Sequence, residues 1–420
     1  MKHRFMTESS IRVLIKGAVI LSACILAGFA LIMAVYAIPV DRVRGNVEAS
    51  LDTLISEGMS RYSIPGYSPS RMDNFTDAIM IGNAVIMPED TLLRNALLAH
   101  RLDSLDPAGA LRDYLAGSWM EGTYSYSVYW HGYLTFLKPL LCVLNYNSIR
   151  FLMMAVQVLL VVAAATLLGE RGLSRYAIAL FAMYISICPI AVMNTLTYNT
   201  VFVLGMGTAV LMLLAHERLE KWGYGYVFLV VGALTSYMDF LTAPVFSLGV
   251  PLTVYVLLVS RSEKRVSLLH TFGLCVAWGL GYGGMWAAKW VLVTLLTEVD
   301  GIREAFMEIL YRTNNHLDNV GEVTQLAGIR AALELVLNPL NMLVLFGSAG
   351  ICTVPLYKGI DRGKAAGFAA LLLIALIPFA WMVFACNHTV SHAFFAYRCL
   401  GVSVFAGLCA LLMLGKEKKV

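Results

Sequence analysis

Ten runs of apolar residues, near 15–38, 150–168, 175–193, 198–215, 225–243, 245–260, 267–291, 339–356, 366–386 and 395–414, dominate this chain. A helix needs about 20 mostly apolar residues to cross a hydrocarbon layer ~30 Å thick, and it satisfies its own backbone there. The runs predict an all-α, polytopic membrane helix bundle of about ten transmembrane helices. Only 14% of the residues are charged and 59% are hydrophobic, whereas soluble domains carry roughly 25% charge. Water is therefore excluded as the main solvent. The net charge of +4 is sorted by side and forms no patch for nucleic acid.

Short connections between alternate runs carry Arg171 and Arg175, Arg218 and Lys221, Arg261, Lys264 and Arg265, then Lys358, Arg362 and Lys364. Lys2, Arg4, Arg12 and Lys16 at one end of the chain, and Lys416, Lys418 and Lys419 at the other, fall on the same side, which the positive-inside rule assigns to the cytoplasm. Residues 1–420 thus read as a single transmembrane domain in the cell (inner) membrane with both termini cytoplasmic. Leu21-Ser22-Ala23-Cys24 resembles a lipoprotein cleavage box, but the apolar run continues to Val35 and is better read as an uncleaved first helix. The eight cysteines show no C-x-x-C spacing and read as small buried hydrophobes.

Two long segments remain on the outer side. The first, 39–149, makes a large helical loop between the first two transmembrane helices, and the second covers 292–338. Val47, Leu51, Leu54, Ile55 and Met59 recur at helical spacing, as do Ile302, Phe306, Ile309 and Leu310, so each set predicts an amphipathic helix lying on the membrane surface or on the bundle. Asp106-Pro107 predicts a helix start. Tyr124 to Leu144 is aromatic at one end and apolar at the other, which predicts a helix at the outer interface, an anchoring belt or a set of faces for sugar rings, with His131 as a substrate contact.

Four polar constellations fall on the outer half. Asp73 and Asp77 lie four residues apart and on a helix would share a face; one could take a proton while its neighbour orients it. The plain alternative is a solvated helix start capped by Asp73 or Asn74. Asp239, inside the hydrocarbon span, needs a partner, and Lys289 is the candidate, as a structural ion pair or as a substrate contact. Asn387, His388, Ser391, His392, Tyr397 and Arg398 gather at the junction of the last two helices, where the histidines and Arg398 would form a cationic pocket suited to phosphate or pyrophosphate. Cys386 and Cys399 flank the histidines, but C-x-H-x3-H-x6-C matches no usual structural zinc site, and no metal is assigned. Arg312, Asn314, Asn315, His316 and Asp318 are placed to cover the same face, or are simply a solvated loop.

A first helix, a large outer loop with an aspartate pair, interfacial helices and a following bundle resemble the C-type (GT-C) membrane glycosyltransferase superfamily. The strings DNFTDAIM (73–80), YWHGYLTFLKPLL (129–141), YMDFLTAP (237–244) and NHTVSHAFFAYR (387–398) are similar to those of a large group of bacterial polytopic membrane proteins. The resemblance implies an inverting transfer from a polyprenyl-phosphate-linked sugar to a glycan or lipid acceptor at the outer leaflet. Asp77 or Asp73 would be the base, and His388, His392 and Arg398 would hold the leaving phosphate. Many members carry a soluble C-terminal domain; here the chain stops at Val420, so acceptor recognition is expected from the outer segments or a partner subunit. No Gly-rich nucleotide loop is visible, and no cofactor is expected. The competing readings are a transporter or lipid flippase with Asp239 and Lys289 in its path and a helix 7 loosened at Gly279–Gly284, or a scaffold subunit of an envelope assembly.

Overall fold

The computed structural model describes residues 8–262, 265–318 and 320–416; Lys2, Arg4, Lys264, Lys418 and Lys419 lie outside the described residues. The chain is all-α. Helix α1 (Glu8–Tyr36) leads into five shorter helices, α2 (Val40–Glu57), α3 (Asn74–Gly82), α4 (Leu92–Leu98), α5 (Pro107–Ala116) and α6 (Leu134–Leu141). There follow α7 (Tyr146–Glu170), α8 (Ala177–Ser186), α9 (Pro189–Met193), α10 (Leu196–Trp222), α11 (Tyr224–Met238), α12 (Val245–Arg261) and α13 (Leu268–Leu296). Helices α14 (Gly301–Thr313) and α15 (Ala327–Val336) connect to α16 (Pro339–Thr353) and α17 (Ala365–Phe384), and the chain closes with α18 (Cys386–Ser391), α19 (Ala393–Ala396) and α20 (Leu400–Leu414). The strands are two antiparallel two-residue pairs, Arg101–Leu102 with Thr123–Tyr124 and His316–Leu317 with Gly321–Glu322.

All ten apolar runs are helical, two of them with breaks. Six stretches are long and apolar enough to cross a membrane, Ile11–Tyr36, Tyr146–Glu170, Leu196–Trp222, Pro339–Lys358, Arg362–Phe384 and Ala393–Leu414, which marks an integral membrane protein. Helices α11 and α12 are apolar but only 15 and 17 residues long. The run 175–193 breaks where Cys188 takes a left-handed φ of 56° ahead of Pro189, which cannot donate to a helix ladder. The run 225–243 stops at Met238, because residues 239–244 form a turn with Leu241 at φ 66°.

The segment between α1 and α7 folds on protein. Val43, Val47, Leu51 and Leu54 of α2 are buried, and α2 packs against α5, α6 and α7. Asp106 caps α5, its Oδ1 accepting from the Gly109 amide at 3.1 Å. The stretch 124–144 departs from the expected interfacial helix: only α6 is helical, and Trp130, Tyr129 and Tyr133 are buried. The indoles of Trp286 and Trp290 donate to the Val128 carbonyl, and Trp130 donates to Met285 O, so three indole donors fasten this aromatic loop to α13. In α14 the apolar face stays uncovered by protein, with Ile302, Phe306 and Leu310 exposed.

Helices α11 and α13 approach through reciprocal glycines. A methyl at Gly232 would overlap the Trp278 carbonyl oxygen, and one at Gly281 would overlap the Leu229 carbonyl oxygen. Small residues let apolar helices meet backbone to backbone where lipid supplies no hydrophobic drive. The 279–284 glycines therefore lie in a continuous helix, and the loosening expected there is absent. The basic connections gather at one end: Arg261 lies against Gly172, Gly367 against Ser260 and Met413, and Ile360 pairs with Gly415. The N-terminal start of α10, the C-terminal ends of α11 and α17 and the start of α20 lie at the opposite end.

Gly232→Ala and Gly281→Ala are expected to lower the melting temperature in detergent by several degrees, an overpacking cost of about 1–3 kcal/mol. Gly279→Ala and Gly283→Ala, which meet open space, should melt like the parent protein.

Candidate functional site

At the end away from the basic connections, a cavity of about 590 Å³ is walled by Asp73, Arg71, Arg101, Arg312, His388 and His392, among others. Asp73 is the N-cap of α3: its Oδ1 accepts from the Thr76 amide at 3.1 Å, while its Oδ2 is buried with no hydrogen-bond partner. Burial pushes its carboxyl above the ordinary range, against the Thr76 bonds and the Arg71 charge. The loop before it is pinned from α20's side. Tyr397 Oη donates to Pro69 O at 3.1 Å, and Arg398 Nη2 donates to the same oxygen at 3.2 Å.

Asp77 does not share this cavity. Asp73 stands off the helix at φ −119°, so the four-residue spacing does not bring both carboxylates to one face. Asp77 is fully buried and takes four donors: Tyr146 Oη, the Leu196 amide (2.8 Å), the Thr197 amide (3.1 Å) and Thr197 Oγ1 (2.9 Å). It caps the N-terminus of α10, where aligned amides favour negative charge. Arg150 donates to Tyr146 Oη at 2.9 Å and holds Glu57 through two bonds of 2.9 Å. Burial pushes the Asp77 carboxyl up to about 6, and the converging donors oppose that. No lone pair is left for a substrate proton.

The second expected cluster divides. His388 and His392 reach the cavity, but as neutral rings. His388 Nε2–H donates to Leu241 O at 2.8 Å, which leaves Nδ1 bare and facing no partner. His392 Nε2 accepts from Arg312 Nη1 at 3.0 Å. Burial drives both rings down, His392 to about 4, with Arg312 adding to the effect. Arg398 does not serve as the expected phosphate anchor: it is 4% exposed, stacked 3.9 Å from the Tyr198 ring centroid, and its guanidinium donates to Phe394 O and Pro69 O. Tyr397 is fully buried beside it. Asn387 donates to Asn314 Oδ1 and His316 O, which ties the 314–316 stretch to the site rather than leaving it a free loop.

Lys289 is not paired with Asp239; its ammonium donates to Leu97 O at 2.7 Å and so closes the C-terminal end of α4. Asp239 is 7% exposed, and among the described residues neither of its buried carboxylate oxygens has a hydrogen-bond partner. His131 lies outside the cavity wall in a left-handed conformation, φ 57°, its nitrogens 2.8 Å from Tyr126 O and 3.1 Å from Tyr133 Oη. Burial takes its ring down to about 3. Its role is to hold the cluster in which Tyr126, Tyr129 and Tyr133 surround Phe240.

The positive charge comes from Arg312, which the sequence singled out, and from Arg71 and Arg101, which it did not. Arg71 stacks on Phe394 at 3.9 Å and donates only to Ser60 Oγ. Arg101 stacks on Tyr124 and Tyr126 at 4.6 Å, and among the described residues its side chain makes no hydrogen bond or ion pair. Arg312 donates to Glu308 at 2.7 Å. Two further hollows adjoin the cavity. One, of about 880 Å³, lies between the 124–129 loop and α14; the other, of about 340 Å³, is apolar and lined by Tyr282, Trp286, Trp290, Trp381 and Phe384. Tyr129 and Arg312 line all three. The chain matches no family model, no curated protein and no solved structure.

Asp77→Asn would turn an amide donor toward four donors, and is expected to cost about 2–4 kcal/mol of stability, read as a lowered melting temperature. His392, whose folded pKa is depressed, contributes stability that is complete above the unfolded value of about 6.5. That contribution is lost as pH falls toward about 4. His392→Gln, which can still accept from Arg312, should flatten the acid-side fall in melting temperature between those values.

Proposed function

We propose that this protein is a glycosyltransferase of the membrane, moving a sugar from a polyprenyl-phosphate-linked donor to a glycan or lipid acceptor in one inverting step. The observation that carries the reading is one cavity where a buried carboxylate with a bare oxygen faces three guanidiniums, joined through Arg312 and Tyr129 to an apolar hollow. A substrate that is oily at one end, anionic in the middle and polyhydroxylic at the other matches that sequence of surfaces. In this reading the bundle makes about ten crossings with both termini cytoplasmic and the cavity at the outer leaflet, and the positive-inside bias of the basic connections supports that orientation.

In this reading Asp73 Oδ2 accepts the acceptor hydroxyl proton as the oxygen attacks the anomeric carbon. The bond from that carbon to the phosphate oxygen breaks, and its electron pair leaves with the lipid phosphate. A lipid phosphate is already a fair leaving group, so the protein supplies a base, positive charge and positioning. The guanidiniums of Arg71, Arg101 and Arg312 stabilise the departing anion. The raised pKa of Asp73 makes it a stronger base than an exposed aspartate while leaving it ionised on the alkaline side of that value. Acceptor recognition falls to the larger polar hollow or to a partner subunit. A transport path through Asp239 and Lys289 has less support, because Lys289 caps α4 and does not meet Asp239.

Asp73→Asn preserves the capping of α3, since asparagine is also a good N-cap, and should abolish transfer of a labelled sugar from polyprenyl-linked donors in reconstituted vesicles by about 10²-fold or more. The variant should melt like the parent. Retained transfer by a folded Asp73→Asn protein would remove the catalytic reading.

A further inference from the structure

We propose that the cavity takes a ligand bearing two negative charges of the diphosphate kind, met by Arg71 and Arg101, with Arg312 at the junction to the apolar hollow. This rests on the lipid-donor reading above and makes it specific: the carrier would be linked through a diphosphate, not a single phosphate.

The argument is a count of charges and donors. Arg312 already has a carboxylate, Glu308, at 2.7 Å, and its remaining bond goes to His392. Among the described residues Arg71 and Arg101 have no carboxylate within ion-pair distance, and the Nε of each is buried without a partner. A guanidinium presents five donors in a rigid fork that suits phosphate oxygens; of the ten on these two side chains, one is used, by Arg71 on Ser60 Oγ. On the acceptor side, the cavity wall contributes one carboxylate, Asp73, whose Oδ1 is occupied by Thr76. Both lining histidines are neutral, so they neither add to the positive charge nor remove it. Partly buried cations without counter-ions are costly unless a ligand brings the missing charge. A sugar alone offers donors as well as acceptors and no charge. A phosphate diester offers two non-bridging oxygens, enough to receive the fork of one guanidinium but not of both, even with Asp73 as the cavity's own counter-charge. A diphosphate diester offers two charges on four non-bridging oxygens, one phosphate for each. The aromatic rings under both guanidiniums, Phe394 beneath Arg71 and Tyr124 with Tyr126 beside Arg101, hold the forks in place without using their hydrogen bonds.

The test uses the full chain in detergent with soluble short-chain probes: the farnesyl methyl diesters of diphosphate (two charges) and of phosphate (one charge), hereafter farnesyl diphosphate and farnesyl monophosphate, with inorganic pyrophosphate and farnesol, each read by calorimetry and by the melting shift. Farnesyl diphosphate is expected to bind at least about tenfold tighter than the monophosphate. Arg71→Gln and Arg101→Gln should each erase most of that gap while leaving the monophosphate affinity within about threefold. The parent-protein comparison stands even if a variant fails to fold. Equal affinity for the two farnesyl phosphates would overturn the two-charge proposal and leave the lipid-phosphate reading intact. Failure of both phosphates to bind better than farnesol would overturn the lipid-donor reading as well. Pyrophosphate binding as tightly as farnesyl diphosphate would support two-charge recognition but assign it to a soluble ligand.

Discussion

The carboxylate of Asp77 ties three helices to one point. It belongs to α3, receives the first amides of α10 and accepts the Tyr146 hydroxyl at the start of α7, and Arg150 and Glu57 extend the bonding to α2. A buried ionised group costs several kcal/mol unless its lone pairs are filled, and here every partner is a donor with little else to bond. The segment between α1 and α7 therefore has essentially one orientation on the bundle. Asp73 stands one helical turn before Asp77, so fixing α3 also fixes where the free oxygen of Asp73 points. The same pair of residues thus divides into a structural member and an available one, and each role requires the other.

The arginines divide in the same way. Arg150 and Arg398 are buried with their terminal nitrogens bonded, one on Glu57 and the Tyr146 hydroxyl, the other on the Pro69 and Phe394 carbonyls. Arg71 and Arg101 are held by stacking, which fixes a guanidinium without consuming its donors. Arg398 keeps the loop of Arg71 in place through Pro69, so the residue that looked like an anchor for ligand works at one remove.

Much of the fold was legible because bilayer chemistry writes long apolar runs, and because caps such as Asp106-Pro107 act locally. The breaks at Cys188 and at residues 239–244 were less so: both depend on single left-handed residues that composition does not flag. Of the site, the meeting of the DNFTD and NHTVSH stretches at one cavity was legible in outline, through Asp73, His388 and His392. The assignment of duties was not. Helical spacing assumed Asp73 to be inside α3, whereas a cap residue leaves the helix direction. Burial of Arg398, neutralisation of the histidines and the capping of α4 by Lys289 are tertiary facts with no local signature. Arg71, two residues before Asp73, was the one missed cation that proximity could have suggested.

The arrangement of the hollows follows from how α14 sits. Its apolar residues Ile302, Phe306 and Leu310 are left uncovered by protein, while Arg312, two residues past Leu310, turns inward to Glu308 and His392. One helix thereby carries an uncovered apolar face and a charged one side by side. Ala305, Ile309 and Arg312 of this helix line the tryptophan-lined hollow, and Arg312 also reaches the cavity that holds Arg71 and Arg101. A molecule lodged along α14 would find its chain and its headgroup solvated by different surfaces without crossing the bundle. Tyr129 and Arg312 line all three hollows, so packing alone makes them the point at which the proposed lipid, phosphate and acceptor hydroxyl would meet.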